Sequence, residues 1–387
     1  MDQITPESRF ADVWLDGDAG DLAEAAARDT NLADWPNAKR IEQKIPIYCG
    51  LTVRKAAADP AWRKALMAEW ATLLNTGPGV LAITDAVPQD VVHDASALFE
   101  RLIEVERSTE QGGGDHFAKP GANDRLWNSA EKHCAADPDS FARYFASDAI
   151  ALVAEAWLGP GYQITAQINR VNPGGAAQTP HRDYHLGFMD PAYAARWPAH
   201  AHRLSPALTL QGAVAHSDMP VESGPTMLLP HSQTVENGYL SFGSDAAQRI
   251  FAEQHAQLAL SVGDSVFFNP ALMHGAGTNR TQDLRRMANL MQIGSAFGRS
   301  IETVDRAAMC RALLPILPGT LTPQEVENVI AASAEGYAYP TNLDNDPPVG
   351  GLAPRSQADL FREAIAQSID AAAFDATLSA WAGRRES

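Results

Sequence analysis

Three observations predict a mainly β core of sandwich or jelly-roll type with α-helices flanking it at both ends. Short apolar stretches with turn punctuation fill the chain from about 161 to 294. No long helical crossovers separate most of them, which disfavours a parallel α/β sheet. Helical periodicity is confined to the two flanks.

Taken in order, Trp62, Leu66, Trp70 and Leu73 recur at helical spacing, as do Val91, Ala95, Leu98, Leu102 and Val105 after Pro88. Between them, Gly79-Val80-Leu81-Ala82-Ile83-Thr84 reads as a short strand. Further strands are expected over 162–172, 207–215, 226–229, 265–268 and 287–293. Helices return after Ser300. Thr322-Pro323-Gln324-Glu325 combines a Thr N-cap, a Pro at the first helical position and a Glu placed to complete a capping box. A Pro/Gly/Asn-rich segment, 339–354, leads into a last amphipathic helix beginning near Ser356. With no internal repeat, both helical ends are expected to pack on the β core, giving one domain over 1–387.

The formal charge of −17 argues against a phosphate-binding surface, so nucleic acid is not an expected partner. Cys49, Cys134 and Cys310 lack zinc or redox spacing and are expected as reduced thiols. The first residues carry neither a basic nor an apolar leader region, and no apolar run nears the roughly 20 residues that span a bilayer. A cytoplasmic protein without membrane association is expected.

His181-Arg182-Asp183 is the chemical centre. On a strand, residues i and i+2 share a face, so an imidazole and a carboxylate can converge on one metal while Arg182 faces away. The third ligand must come from a distant strand, and His274, after the turn and apolar strand Gly263-Asp264-Ser265-Val266-Phe267-Phe268-Asn269-Pro270, is the best candidate. Two imidazoles and a carboxylate leave three positions of an octahedral Fe(II) open, which suit a bidentate 2-oxo acid and dioxygen. Eleven residues beyond His274 stands Arg285, a candidate fork for the far carboxylate of 2-oxoglutarate, with Arg280 and Arg286 close by. If Arg285 starts the strand holding Met287, Asn289 and Met291, it projects with them and Arg286 projects oppositely.

The motifs His181-Arg182-Asp183-Tyr184-His185, Gly263-Asp264-Ser265-Val266-Phe267-Phe268, His274-Gly275-Ala276-Gly277 and Asn279-Arg280-Thr281-Gln282-Asp283-Leu284-Arg285 resemble those of the phytanoyl-CoA dioxygenase superfamily. Asp218 to Pro225, followed by Leu228-Leu229-Pro230, adds to the likeness, which covers roughly 70–297 and leaves 1–69 and 298–387 as helical extensions. The resemblance implies a double-stranded β-helix (cupin-like) core and an Fe(II)- and 2-oxoglutarate-dependent dioxygenase. It implies hydroxylation of an unactivated C–H, with succinate and carbon dioxide as co-products. It makes His181, Asp183 and His274 the iron ligands and Arg285 the oxoglutarate anchor. Members that halogenate lack the carboxylate, so Asp183 favours hydroxylation or a related oxidation. Two departures stand out: Ala276 replaces a small hydroxyl residue, with Thr278 the candidate substitute, and Pro230-His231-Ser232-Gln233 replaces a Pro-Gly-Ser-His turn.

Gln167 and Asn169 share a face of their strand and are candidates for bonding oxoglutarate, or for ordinary cross-strand bonds. His185 is a candidate pocket residue or a packed histidine, and His216 and His231 are expected to be structural or exposed. Gln111 to Pro120 is a candidate lid with Lys119 reaching a substrate anion, or an inert loop. Its glycine run is not a phosphate loop, since no Gly-Lys-Ser/Thr follows. Three functions stay open. They are the oxygenase, a cupin-like metalloprotein with non-oxidative chemistry, and a non-catalytic ligand-binding protein on the same fold. The expected partner is a small molecule, an acyl-CoA or another metabolite, and the sequence is silent on oligomeric state.

Overall fold

The computed structural model describes residues 13–17, 20–108, 121–187, 189–348, 350 and 353–386. In chain order its strands are β1 (Arg40–Glu42), β2 (Ile45–Cys49), β3 (Val80–Thr84), β4 (Asn123–Leu126), β5 (Gln163–Val171) and β6 (Thr209–Ala215). They continue with β7 (Thr226–Leu228), β8 (Ala256–Gln257), β9 (Ser265–Phe268), β10 (His274–Ala276) and β11 (Arg286–Gly294). Eight of them make one sheet in the order β1-β2-β3-β9-β6-β11-β5-β4, and the other three make a second in the order β10-β7-β8. The large sheet is mixed: β2 and β3 run parallel, and the other pairs are antiparallel. A parallel pair needs a crossover. The helices Gly50–Ala57 and Pro60–Asn75 supply it, the second started by Asp59, whose carboxylate accepts from the Ala61 and Trp62 amides ahead of Pro60.

Side-chain alternation gives the large sheet two different faces. Leu81, Ile83, Ile164, Ala166, Ile168, Leu210, Val214, Phe267, Met287, Met291 and Ile293 point to the helical side and join one apolar cluster. That cluster also takes Trp70, Leu73 and Phe99 from N-terminal helices, and Val329, Phe361 and Leu378 from C-terminal ones. The opposite face carries Ile47, Val80, Ala82, Val266 and Phe268, which pack against Leu228, Ala256 and Leu258 of the small-sheet side. Polar residues of β5, β6 and β11 share this second face, and a cavity opens there between the two sheets.

Large sheet and flanking helices agree with the expected layout, yet helix outweighs strand among the described residues, so the chain is not mainly β. The physical reason is the sheet's broad apolar back, which only a continuous layer of helices covers. Strands β1, β2 and β4 lie in the part that reads as helical. Pro46 inside β2 speaks against a strand, and Asn123-Asp124-Arg125-Leu126 has little strand propensity; both are held by pairing with neighbours. The Thr322/Glu325 capping box opens the helix Pro323–Ser333, and a second box, Ser356/Asp359, opens Gln357–Ala366. No helix among the described residues is long and apolar enough to cross a membrane.

Phe267 is fully buried between β9 and the helical layer. Phe267→Ala is expected to lower unfolding free energy by about 3–5 kcal/mol in a urea titration. A loss under about 1 kcal/mol would mean that this layer contributes little to stability.

Candidate metal centre

The segment carrying His181 and the strand β10 meet through a reciprocal pair of backbone bonds: His181 N donates to His274 O at 2.8 Å and His274 N donates to His181 O at 2.9 Å. His181 thus sits in a single antiparallel bridge rather than a regular strand. Both imidazoles are then fixed alike. His181 Nδ1 lies 2.8 Å from Thr179 O, and His274 Nδ1 lies 2.8 Å from Leu272 O. Carbonyl oxygens only accept, so each Nδ1 carries the hydrogen and each Nε2 keeps its lone pair. Those lone pairs face Asp183: His181 Nε2 is 3.8 Å from Oδ1 and His274 Nε2 is 3.8 Å from Oδ2. The three ligand atoms lie within 4.8 Å of one another.

Asp183 is 7% exposed. Its Oδ2 accepts a 2.5 Å bond from Gln211 Nε2, while Oδ1 is buried without a hydrogen-bond partner. An orphaned carboxylate oxygen in the interior is costly unless a cation is placed beside it. Burial first, and the neighbouring His181 second, pull the His274 imidazole below its ordinary pKa, although Asp183 works the other way. The set fits a divalent metal: two imidazole nitrogens with lone pairs free of protons and one carboxylate oxygen without other duty.

Supports behind the triad hold it in place. Asp183 N donates to Pro270 O at 3.0 Å, and Tyr239 Oη donates to Asp183 O at 2.9 Å. Arg182 faces away, as alternation requires, and is fully buried. Its guanidinium donates to Val235 O at 3.1 Å and Ser232 O at 2.5 Å. Burial draws its pKa down to about 10, so it keeps its charge. Gly238 is required beside it, because a Cβ there would lie 1.9 Å from the guanidinium carbon.

The triad lines a cavity of about 270 Å³ between the two sheets. Arg285 does not reach it, which corrects the sequence expectation: Arg285 is exposed, and Arg286 lines the cavity. The error is one of phase. Met287, Met291 and Ile293 belong to the helix-facing core, so the cavity face of β11 is Arg286, Ala288, Leu290 and Gln292. Apolar alternation along β11 was the signal that could have set this. Arg286 is 5% exposed, its Nη1 donates to Ser223 O at 3.2 Å, and burial draws its pKa down to about 10.

Gln167 and Asn169 both line the cavity, and each also bonds across to β4: Arg125 Nη1 donates to Gln167 Oε1 at 3.2 Å, and Asn123 Nδ2 to Asn169 Oδ1 at 3.3 Å. Thr278 does not line it. Strand β10 ends at Ala276, the Gly277 amide donates to Gly224 O, and the Thr278 hydroxyl instead accepts from Ala177 N at 3.1 Å. Among the described residues the cavity-lining hydroxyl is Thr226, paired in register with Ala276. Sequence reading also passed over Gln211, Arg125 and Trp127. His185 packs against Thr209 with Nδ1 to Oγ1 at 2.7 Å, and His231 lies 3.1 Å from the Thr30 hydroxyl. His216 is buried between Ser96 and Tyr144, and burial draws its pKa down to about 3. Residues 111–120, with Lys119, lie outside the described residues. A larger cleft of about 830 Å³, near Phe297 and Tyr337, contains none of the triad.

A family profile described as Phytanoyl-CoA dioxygenase (PhyH) matches residues 77–287, more than half of the chain. No curated protein matches. Among solved structures, the α-ketoglutarate-dependent epimerase SnoN from nogalamycin biosynthesis is 19% identical, with 62% of this chain and 84% of that one covered and a TM-score of 0.41. The carbocyclase SnoK from the same biosynthesis is 18% identical, covering 60% and 86%, with a TM-score of 0.43. HygX from Streptomyces hygroscopicus, solved with nickel and 2-oxoglutarate, is 16% identical, covering 59% and 87%, with a TM-score of 0.41.

Removing the Arg182 guanidinium deletes two bonds from a charged donor, each worth about 1–3 kcal/mol, and leaves Ser232 O and Val235 O with only their backbone donors, Val235 N and Gly238 N. Arg182→Ala is therefore expected to cost roughly 2–6 kcal/mol in denaturant unfolding. An unchanged midpoint would show that the segment 232–238 does not rely on it.

Proposed function

Because the chain belongs to the phytanoyl-CoA dioxygenase family, we propose that it hydroxylates an unactivated C–H bond of a small organic substrate, using Fe(II), 2-oxoglutarate and dioxygen and releasing succinate and carbon dioxide. The observation that carries this reading is the convergence of two Nε2 lone pairs and an orphaned Asp183 oxygen at one point of the cavity wall. His181, Asp183 and His274 would hold the iron, with coordination positions left for the co-substrate and dioxygen. When bound, that centre supplies the oxidising chemistry no side chain can.

The rest falls to the chain itself. Arg286 takes the role expected of Arg285: buried and charged, it grips the distal carboxylate of oxoglutarate, and a guanidinium can do so with two parallel bonds. The Thr226 hydroxyl stands across from Ala276 to give that carboxylate a further donor. Gln211 holds the Asp183 carboxylate in one orientation. Leu228, Leu258, Val266 and Phe268 provide an apolar wall that excludes water from the reacting atoms. In this reading the two sheets form a double-stranded β-helix of cupin type. The whole chain is one oxygenase domain with a core of about 70–297, and helices of both extensions enter the same apolar cluster.

Asp183→Ala is expected to abolish Fe(II) binding in anaerobic titration; retained tight binding would sink the assignment. Arg286→Ala is expected to weaken oxoglutarate binding by about 2–3 kcal/mol, some 30- to 150-fold, and to stop succinate formation. Arg285→Ala is expected to stay within about twofold of the parent, inside the range of ordinary surface substitutions. The reverse ranking would return the anchor to Arg285.

A further inference from the structure

Oxoglutarate held between the metal and Arg286 uses one end of the cavity, and β11 shows which end is left. Strands rise about 3.3 Å per residue, so the step from Arg286 to Gln292 separates two positions of the cavity face by roughly 20 Å. Two contacts put the metal centre at the Gln292 end. In register Gln292 stands opposite Gln211 on β6, and Gln211 opposite Phe268 on β9. Gln211 bonds Asp183, and the Phe268 ring lies 4.7 Å from the His274 imidazole, centroid to centroid. The co-substrate therefore runs from the metal toward Arg286 and away from Gln292.

Gln292 and Gln211 line the cavity as directly opposed residues, whose Cβ atoms lie about 5 Å apart. Gln292 is half-buried; its backbone carbonyl accepts from the Thr165 hydroxyl at 2.7 Å, and its carboxamide makes no hydrogen bond to the described residues. Gln211 is 6% exposed. A carboxylate only accepts, so the nitrogen of Gln211 is the atom that meets Asp183, and its Oε1 is left buried without a partner among the described residues. A buried acceptor is costly until a donor reaches it. Beside the metal, then, the wall offers an acceptor on Gln211 and both a donor and an acceptor on Gln292. A hydroxyl complements such a pair, because one oxygen both donates and accepts. The adjoining wall, Phe268, Val266 and Leu258, is apolar and suits a carbon skeleton.

We infer that Gln292, together with Gln211, is a specificity-determining residue that receives a hydroxyl of the substrate, so that the substrate is a small alcohol or polyol rather than a fatty acyl-CoA. This rests on the dioxygenase reading above. The hydroxyl donates to Gln211 Oε1 and accepts from Gln292 Nε2, which fixes the carbon that faces the metal.

The test uses the full chain loaded with Zn(II) and oxoglutarate, so that ligands bind without turnover. Saturation-transfer NMR titrations compare cyclohexanol, cyclohexane-1,2-diol and hexan-2-ol with their methyl ethers and with hexanoyl-CoA. An ether oxygen accepts but cannot donate, so it leaves the Gln211 acceptor unpaired. At least one alcohol is expected to bind tenfold or more tightly than its ether and than hexanoyl-CoA, since a site built around a hydroxyl rejects the analogue lacking it. Gln292→Leu is expected to weaken that alcohol at least tenfold, Gln292→Asn to retain part of its binding, and both to keep oxoglutarate affinity within twofold, which also reports that they are folded. The inference is overturned if no alcohol binds, if ethers or hexanoyl-CoA bind equally well, or if Gln292→Leu leaves alcohol affinity unchanged. It is overturned as well if Gln292→Leu loosens oxoglutarate tenfold, which would assign Gln292 to the co-substrate. Failure of the parent chain to bind oxoglutarate at all would instead refute the dioxygenase reading.

Discussion

The reciprocal amide bonds between His181 and His274 join two segments far apart in sequence, and the geometry of the candidate centre follows from them. A hydrogen-bonded antiparallel pair holds its two Cα atoms about 5.5 Å apart with side chains on one side. Each imidazole then bonds back to the carbonyl two residues before it, which sets its tautomer and its aim. Asp183 follows two residues on and is held from behind by Pro270 and Tyr239 and from the side by Gln211. Without that bridge, the imidazoles would have no reason to face the same carboxylate.

The large sheet makes room for this arrangement by treating its two faces differently. Its back is apolar from β3 to β5 and is covered by helices from both ends of the chain, so its burial supplies the stability. That leaves the front free to carry groups that would be costly in a sealed core, among them Arg286, Gln211, Gln167 and Asn169, each about 9% exposed or less. The three-stranded sheet closes over part of this front through Leu228 and Leu258. The gap that remains is the cavity.

Strong local patterns were legible in the sequence, and tertiary decisions were not. The period of two in 163–171, 209–215 and 286–294 marks those strands, and the chemistry of Thr322 and Ser356 marks two helix starts. His181, Asp183 and His274 stand out by residue type, and the structure brings them together. Arg285 was preferred because adjacent arginines look alike to a motif, whereas the strand separates them by face; Met287, Met291 and Ile293, which join the helix-facing core, tell which face is which. Thr278 lies off the cavity because β10 ends at Ala276, so its alternation does not carry that far, and the hydroxyl bonds Ala177 N instead. Arg125 had no local signal, since β4 is a short polar strand defined by its pairing with β5.

The most direct test of the whole account is a crystal structure of the chain grown without oxygen in the presence of Fe(II) and 2-oxoglutarate. The account requires iron bound by His181 Nε2, His274 Nε2 and one Asp183 oxygen, with oxoglutarate chelating it and its distal carboxylate on Arg286. Iron at other residues, or a distal carboxylate held by Arg285 on the opposite face of β11, would contradict it.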